Sequence, residues 1–150
     1  MQIRPARPED CPAIAEIYAH HVLNGTASYE TAPPDSAEMN RRMERVMGSG
    51  WPWLVAADDD GRLLGYAYAT QFRDRAAYRF VCEDSIYIRN EARGQGVGTA
   101  LLGALLEACA ASGFRQMVAV IGGAEPASEA LHARLGFTLE IGRASCRERV

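Results

Sequence analysis

The chain lacks any run of about 20 apolar residues, so nothing in it reads as a membrane-spanning helix. Its opening, MQIRPARPEDCPAI, has no apolar core of the kind a secretory leader carries, which points to a cytoplasmic protein. Cysteines are few and scattered: Cys11, Cys82, Cys109 and Cys146 form no C-x-x-C, and with three histidines they make no metal template. Reduced thiols and no bound metal are the expectation. Nor is there an excess of positive charge. The net charge of −3 gives no reason to expect a nucleic-acid partner. What remains is ordinary for a folded domain: 150 residues, 48% hydrophobic and 23% charged, enough for one sizeable core.

The pattern along the chain predicts a mixed α/β domain. MQIRPA alternates weakly, as a short first strand does. Pro8 suits a first helical position, with Ile14, Ile17, Tyr18 and Val22 following at helical spacing. NGTASYETAPP reads as a loop. Asp35 and Glu38 then resemble a capping box ahead of an apolar stripe of Met39, Met43, Val46 and Met47. Three strands are expected next, in WLVAA, LLGYAYATQF and RFVCEDSIYI, the first two joined at Asp60-Gly61. A helix to about Ser112, stopped by Gly113, leads to a strand in QMVAVIGG. A short helix in PASEALHARLGF and a strand from Phe137 to Ile141 follow. The last ten residues, IGRASCRERV, carry four charges and little apolar periodicity, and read as a tail outside the domain of residues 1–140.

Between the third predicted strand and the long helix lies EARGQGVGTALLGALLEACAASGF. Gly94, Gly96 and Gly98 strip side chains from the point where the chain enters the helix. A helix start presents unpaired N–H groups and a positive dipole end, so a bare one attracts phosphate. Arg93 at its mouth can add a charge-assisted contact. Two nucleotide readings fail. The loop does not end in Gly-Lys-Ser/Thr, as a P-loop must. A dinucleotide fingerprint wants Gly or Ala where Thr99 stands, and an acid about 20 residues on, where the chain has an apolar strand.

A second feature is a carboxylate in an apolar run. Glu83, in FVCEDSIYI, shares a strand face with Ser85 and Tyr87, while Asp84 points to the opposite face. Partial desolvation raises a carboxylate's pKa, as a general base requires. Taken alone, the run equally suits a structural ion pair with an arginine such as Arg79, and both readings stand.

The stretch Arg93-Gly94-Gln95-Gly96-Val97-Gly98 resembles the Arg/Gln-x-x-Gly-x-Gly/Ala loop of the GCN5-related N-acetyltransferase (GNAT) superfamily. The segments Ala77–Ile88, Ala119–Phe137 and IYAHHVLNGTASYET narrow the likeness to its phosphinothricin and methionine-sulfone acetyltransferase branch, over residues 1 to about 140. The resemblance implies a mostly antiparallel sheet, flanked by helices, whose neighbouring strands splay to admit acetyl-CoA. It implies acetyl transfer to the primary amine of a small amino-acid-like substrate, in a homodimer, with neither nucleic acid nor membrane as partner. Glu83 matches the branch's base in VE-x-S-x-Y, and His132, in ALHARLGF, stands where a residue protonates the departing thiolate. A helix-face histidine held by a local hydrogen bond is the other reading of His132.

Further implied contacts concern the cofactor and the amine. Tyr87, Ile88 and Arg89 would line the pantetheine arm, and Arg93, Gly94, Gln95, Gly96, Val97, Gly98, Thr99, Ala100 and Leu101 the pyrophosphate. Ser128 is retained from the branch's GGN-x-x-S, whereas Glu125-Pro126 replaces its asparagine; a glutamate accepts a hydrogen bond but donates none unless protonated. Tyr29, Arg73, Arg75, Tyr78, Arg79 and Ser85 are the substrate candidates, the arginines because guanidinium forks suit carboxylate, phosphinate or sulfonyl oxygens. The branch continues beyond Glu140 with strands that IGRASCRERV does not resemble, so the final strands are expected to be missing, leaving an open sheet edge. A non-catalytic CoA-binding domain or inactive fragment is the alternative function, and a nucleotide-dependent oxidoreductase a third.

Overall fold

The computed structural model describes residues 1–24, 30–121 and 126–139 in full, and the backbone of 140 and 145–149. Its strands are β1 (Gln2–Pro5), β2 (Trp53–Ala57), β3 (Leu63–Gln71), β4 (Val81–Ile88), β5 (Gln116–Val120), β6 (Thr138–Glu140) and β7 (Ser145–Arg149). Its helices are α1 (Cys11–Asn24), α2 (Ser36–Gly48), α3 (Val97–Ala111) and α4 (Pro126–Arg134). The described strands form one seven-stranded sheet in the order β1-β2-β3-β4-β5-β7-β6. Among the described strands only β4 and β5 pair in parallel.

Strand alternation divides the core. On one face Trp53, Val55, Leu63 and Tyr66 pack with Ile14 and Ile17 of α1 and Met39 and Met43 of α2. On the other, Leu54, Ala56, Ala67, Ala69 and Cys82 pack with Leu101, Leu102, Leu105 and Cys109 of α3. Residues such as Leu101 and Leu105 are completely buried, and each burial favours folding by about 1.5–3 kcal/mol.

Local signals act as their chemistry requires. Asp35 caps α2 by accepting the Glu38 N–H at 2.8 Å. The reciprocal half of the expected capping box is absent, because the Glu38 carboxylate turns to Arg41 and Arg42. Asp10 closes the chain between β1 and α1: it takes a forked hydrogen bond from Arg4, at 2.8 and 2.9 Å, and the Arg7 N–H at 2.8 Å.

The end of the chain corrects one expectation. The sheet does not stop short after β6, because β7 inserts between β5 and β6 and pairs antiparallel along all of β5, from Gln116↔Arg149 to Val120↔Ser145. The physical reason is the outer edge of β5, a row of unpaired backbone donors and acceptors that any extended segment can satisfy whatever its side chains. An apolar-periodicity reading is blind to such a strand.

Candidate active site

β4 and β5 pair only through Val81↔Gln116, Cys82↔Met117 and Glu83↔Val118. Both strands run on, but past Glu83 and Val118 they part. The cleft that opens there is about 840 Å³, within the range of small-molecule sites. Its walls are Glu83 to Ile88 of β4, Ala119 to Ile121, the Arg93–Thr99 turn and the first residues of α4.

The register decides which backbone groups face the gap. Val81 O accepts from Phe72 N, and Arg89 N donates to Leu64 O at 2.7 Å. In an antiparallel ladder such bonded pairs alternate, so the odd residues of β4 turn their amides to β3 and the even ones turn theirs away from it. Phe80 O, on the same side as the even residues, accepts from Arg115 and Gln116 at the start of β5. Once β5 has departed, the N–H and C=O of Ile86 and Ile88 face the cleft. The Ile88 carbonyl accepts from His21 Nε2 at 3.0 Å, leaving the Ile88 N–H and both Ile86 groups available to an extended ligand.

The glycine turn closes one end. Gly94 and Gly96 have φ of +76° and +81°, a conformation open to glycine and costly for other residues. Gly96 is the N-cap of α3 and offers no side chain, and no acidic residue stands in the first turn. The N–H groups of Val97, Gly98 and Thr99 thus start a fifteen-residue helix bare, as an anion cradle requires. Gly98 serves packing instead: a Cβ there would lie 3.2 Å from the Leu131 side chain of α4.

Glu83 and Asp84 occupy opposite faces of β4, as their alternation predicts. Glu83 is half-buried on the face of Tyr87, whose ring meets Tyr18 at 5.0 Å and His21 at 5.3 Å. Among the described residues Glu83 forms no salt bridge, and the expected alternative partner Arg79 instead lies over the Phe80 ring and bonds Ala76 O. Burial raises the Glu83 pKa above the ordinary carboxyl range, the Asp84 charge adds to the rise, and Arg73 partly offsets it.

On the other face His132 is completely enclosed. Its Nε2 lies 2.8 Å from Asp84 Oδ2 and its Nδ1 lies 2.7 Å from Ser128 O. A carbonyl only accepts, so Nδ1–H donates to Ser128, and one further proton bridges Nε2 and Asp84. Burial pulls the His132 pKa down, but the Asp84 hydrogen bond, its charge and the Ser128 carbonyl together lift it above the ordinary value. The residue expected as thiolate acid therefore has both ring nitrogens committed within the protein. A local hydrogen bond of the kind the other reading names is present, beside a carboxylate partner that sequence spacing did not reveal.

Of the remaining expected residues, Tyr87, Ile88, Arg93, Gly94, Gly96, Val97, Gly98, Thr99, Ser128 and Ser85 line the cleft. Gln95, Ala100 and Leu101 do not; Gln95 bonds Glu91 O and Leu101 is core. Nor does Arg89, whose side chain is buried against Leu63 O at 2.8 Å and Glu16 at 2.6 Å. Arg73, Arg75, Tyr78 and Arg79 sit on the loop between β3 and β4, outside the cleft wall. Tyr29 and Glu125 lie outside the described residues. Residues not anticipated include Tyr18, Glu30, Asp84 and Ile86. Ile86 was legible, being two positions from Ile88 on a period-2 strand.

Residues 14–137 match the Acetyltransferase (GNAT) family. The chain belongs to that family. It is, accordingly, an acetyl-CoA-dependent N-acetyltransferase. It is 52% identical over 136 residues to a phosphinothricin N-acetyltransferase of Alcaligenes faecalis, spanning 90% of this chain and 68% of the relative. It is 40% identical over 137 residues to an L-methionine sulfoximine/L-methionine sulfone acetyltransferase of Pseudomonas aeruginosa, over 91% of this chain and 80% of that one. Among solved structures, a phosphinothricin acetyltransferase of Sinorhizobium meliloti in complex with AcCoA superposes with a TM-score of 0.93 at 48% identity, covering 99% of this acetyltransferase and 88% of that chain. The protein yncA of Salmonella typhimurium, with its cofactor acetyl-CoA, gives a TM-score of 0.92 at 30% identity, covering 99% of this chain and 92% of that one.

Proposed function

We propose that this acetyltransferase moves the acetyl group of acetyl-CoA directly onto the primary amine of a small amino-acid-like substrate of the phosphinothricin, methionine sulfone or methionine sulfoximine type, with Glu83 as general base. The observation that carries this reading is a half-buried carboxylate without an ion-pair partner among the described residues, at the last β4–β5 pair, facing the cleft where the strands part.

The cleft fits the co-substrate from both ends. The bare start of α3 and Arg93 suit a diphosphate, and the Ile86 backbone groups and the Ile88 N–H suit an amide-bearing arm that lies along β4 as a strand would. A bound thioester supplies the electrophilic carbonyl. An amino acid's amine is mostly protonated at neutral pH and must shed that proton to attack. Glu83 takes that first proton and passes it to solvent; it then takes the second N–H proton as the N–C bond forms and the C–S bond breaks, and a raised pKa brings its basicity closer to neutrality. Because His132 is committed to Asp84 and Ser128, the departing sulfur takes its proton from solvent reaching the open cleft. Arg73, whose charge reaches Glu83, is the substrate arginine best placed to attract an acidic group of the amine. The same reading has the enzyme act in the cytoplasm as a homodimer, which light scattering checks as a mass of two chains.

Thiol release measured with L-phosphinothricin, methionine sulfone and methionine sulfoximine tests the proposal. Turnover with at least one of them is expected. Protein that binds CoA yet turns over no member of a broad panel of primary amines contradicts it.

A further inference from the structure

Asp84 is the first residue of β4 beyond the last pair with β5, so its side chain leaves the strand where the cleft begins. It meets helix α4, which differs from the other helices in what holds it down. PASEALHAR has no apolar stripe, and His132 is its one buried residue. Leu131, half-buried against Gly98, is the apolar contact beside it. The Asp84 and His132 side chains are 1% and 2% exposed. The Ser128 carbonyl, one turn back in the same helix, and the edge-on Phe137 ring at 4.9 Å fix the imidazole plane. The second Asp84 oxygen, Oδ1, is buried with no hydrogen-bond partner among the described residues. Among the described residues the carboxylate therefore relies on His132 alone.

Helix α4 forms one wall of the cleft through Ala127, Ser128, Leu131, His132 and Arg134, while β4 forms the facing wall. We propose that the Asp84–His132 pair is a latch: Asp84 is a positioning residue that pins α4 to β4 through His132 and so sets the width of the cleft at the cofactor's side. The amine's side of the cleft is built on the other face of β4, from Glu83, Ser85, Tyr87 and Tyr18, and does not depend on the latch. The cofactor consequence rests on the reading of the cleft as the acetyl-CoA site; the pinning of α4 does not.

The test uses the whole chain as wild type, Asp84→Ala, His132→Gln and the double variant Asp84→Asn/His132→Gln, which restores an uncharged hydrogen bond at the same place. Amide hydrogen exchange without ligand reads the latch itself. Protection of the α4 amides should fall in each single variant, that of α3 should hold, and the double variant should recover α4. Calorimetry with CoA and steady-state kinetics read the consequence. Each single change should weaken CoA binding about tenfold or more and leave KM for the amine within about twofold, with the double variant bringing CoA affinity back to within about threefold. Unchanged α4 protection in the single variants overturns the latch, as does a double variant no better than the singles where these are weakened. Parallel rises in both KM values overturn its restriction to the cofactor side. Wild-type protein that binds no CoA sinks the reading of the cleft, while α4 exchange still decides the latch.

Discussion

Glu83 and Asp84 are consecutive in β4, yet Glu83 faces the α1–α2 side of the sheet while Asp84 closes on His132 at 2.8 Å on the α3–α4 side. Two neighbouring carboxylates thus have separate work, one open to the cleft and one sealed in a pair. Glu83→Gln should lower kcat by about 10²-fold near neutral pH and leave CoA affinity unchanged. Steady-state kinetics with a parallel CoA titration decides this, and a variant of normal kcat excludes Glu83 as the base.

The base must be ionised to act. Since burial holds the Glu83 pKa above the ordinary carboxyl range, the acidic limb of kcat/KM should lie at higher pH than a solvent-exposed glutamate gives. Arg73→Ala removes a positive charge that favours the ionised form and should move the limb higher still. A limb that stays in place shows that Glu83 does not govern it.

The same shift has a cost in stability, with a definite sign. A raised folded pKa means that the native state holds this proton more tightly than the unfolded chain, whose value is near 4.5. Stability is therefore lost as pH rises from about 4.5 through the folded value. Glu83→Gln should raise Tm at neutral pH, and the gain should vanish below pH 4.5. Thermal melts across pH check it, and a variant less stable at pH 7 contradicts it.

His132 has the same sign of pH dependence, but through a contact that stabilises its charged form. Its folded pKa is raised above 6.5 by the Asp84 and Ser128 contacts, which outweigh burial. Its charge-dependent contribution is complete below pH 6.5 and lost as pH climbs through the folded value. The Tm gap between wild type and His132→Gln should narrow over that climb. A gap that widens there contradicts the assignment.

At the glycine turn, Gly96→Ala puts a Cβ on a backbone of φ +81°, where nothing lies within 4 Å of it. The penalty is conformational, roughly 1–2 kcal/mol, and falls on the cradle at the start of α3. Weaker CoA binding with little change in the amine's KM is expected. Gly98→Val instead presses on Leu131, 3.2 Å away, and should also lower protection of α4.

Much of this architecture was readable from residues close in sequence. Asp35 before the stripe of α2, the Asp60-Gly61 turn and the glycines ahead of α3 each act within a few positions of themselves, so local chemistry specifies them. Period-2 alternation separated Glu83 from Asp84. The Asp84–His132 bond was not legible, because its partners are 48 residues apart and meet only after α3 has returned the chain to the sheet. β7 was missed for another reason: its pairing is made by backbone, and side-chain periodicity carries no record of it. The chemistry of the loop arginines Arg73, Arg75 and Arg79 was legible, but their place outside the cleft wall was not, because the path of a loop leaves no periodic signal.

A crystal structure with CoA decides whether the parting of β4 from β5 receives the co-substrate with its phosphates on the start of α3. Density is expected for the diphosphate at the N–H groups of Val97, Gly98 and Thr99, and for the pantetheine arm along Ile86 and Ile88. Density lodged elsewhere on the molecule, or a cleft closed by its own side chains in the presence of saturating CoA, contradicts it.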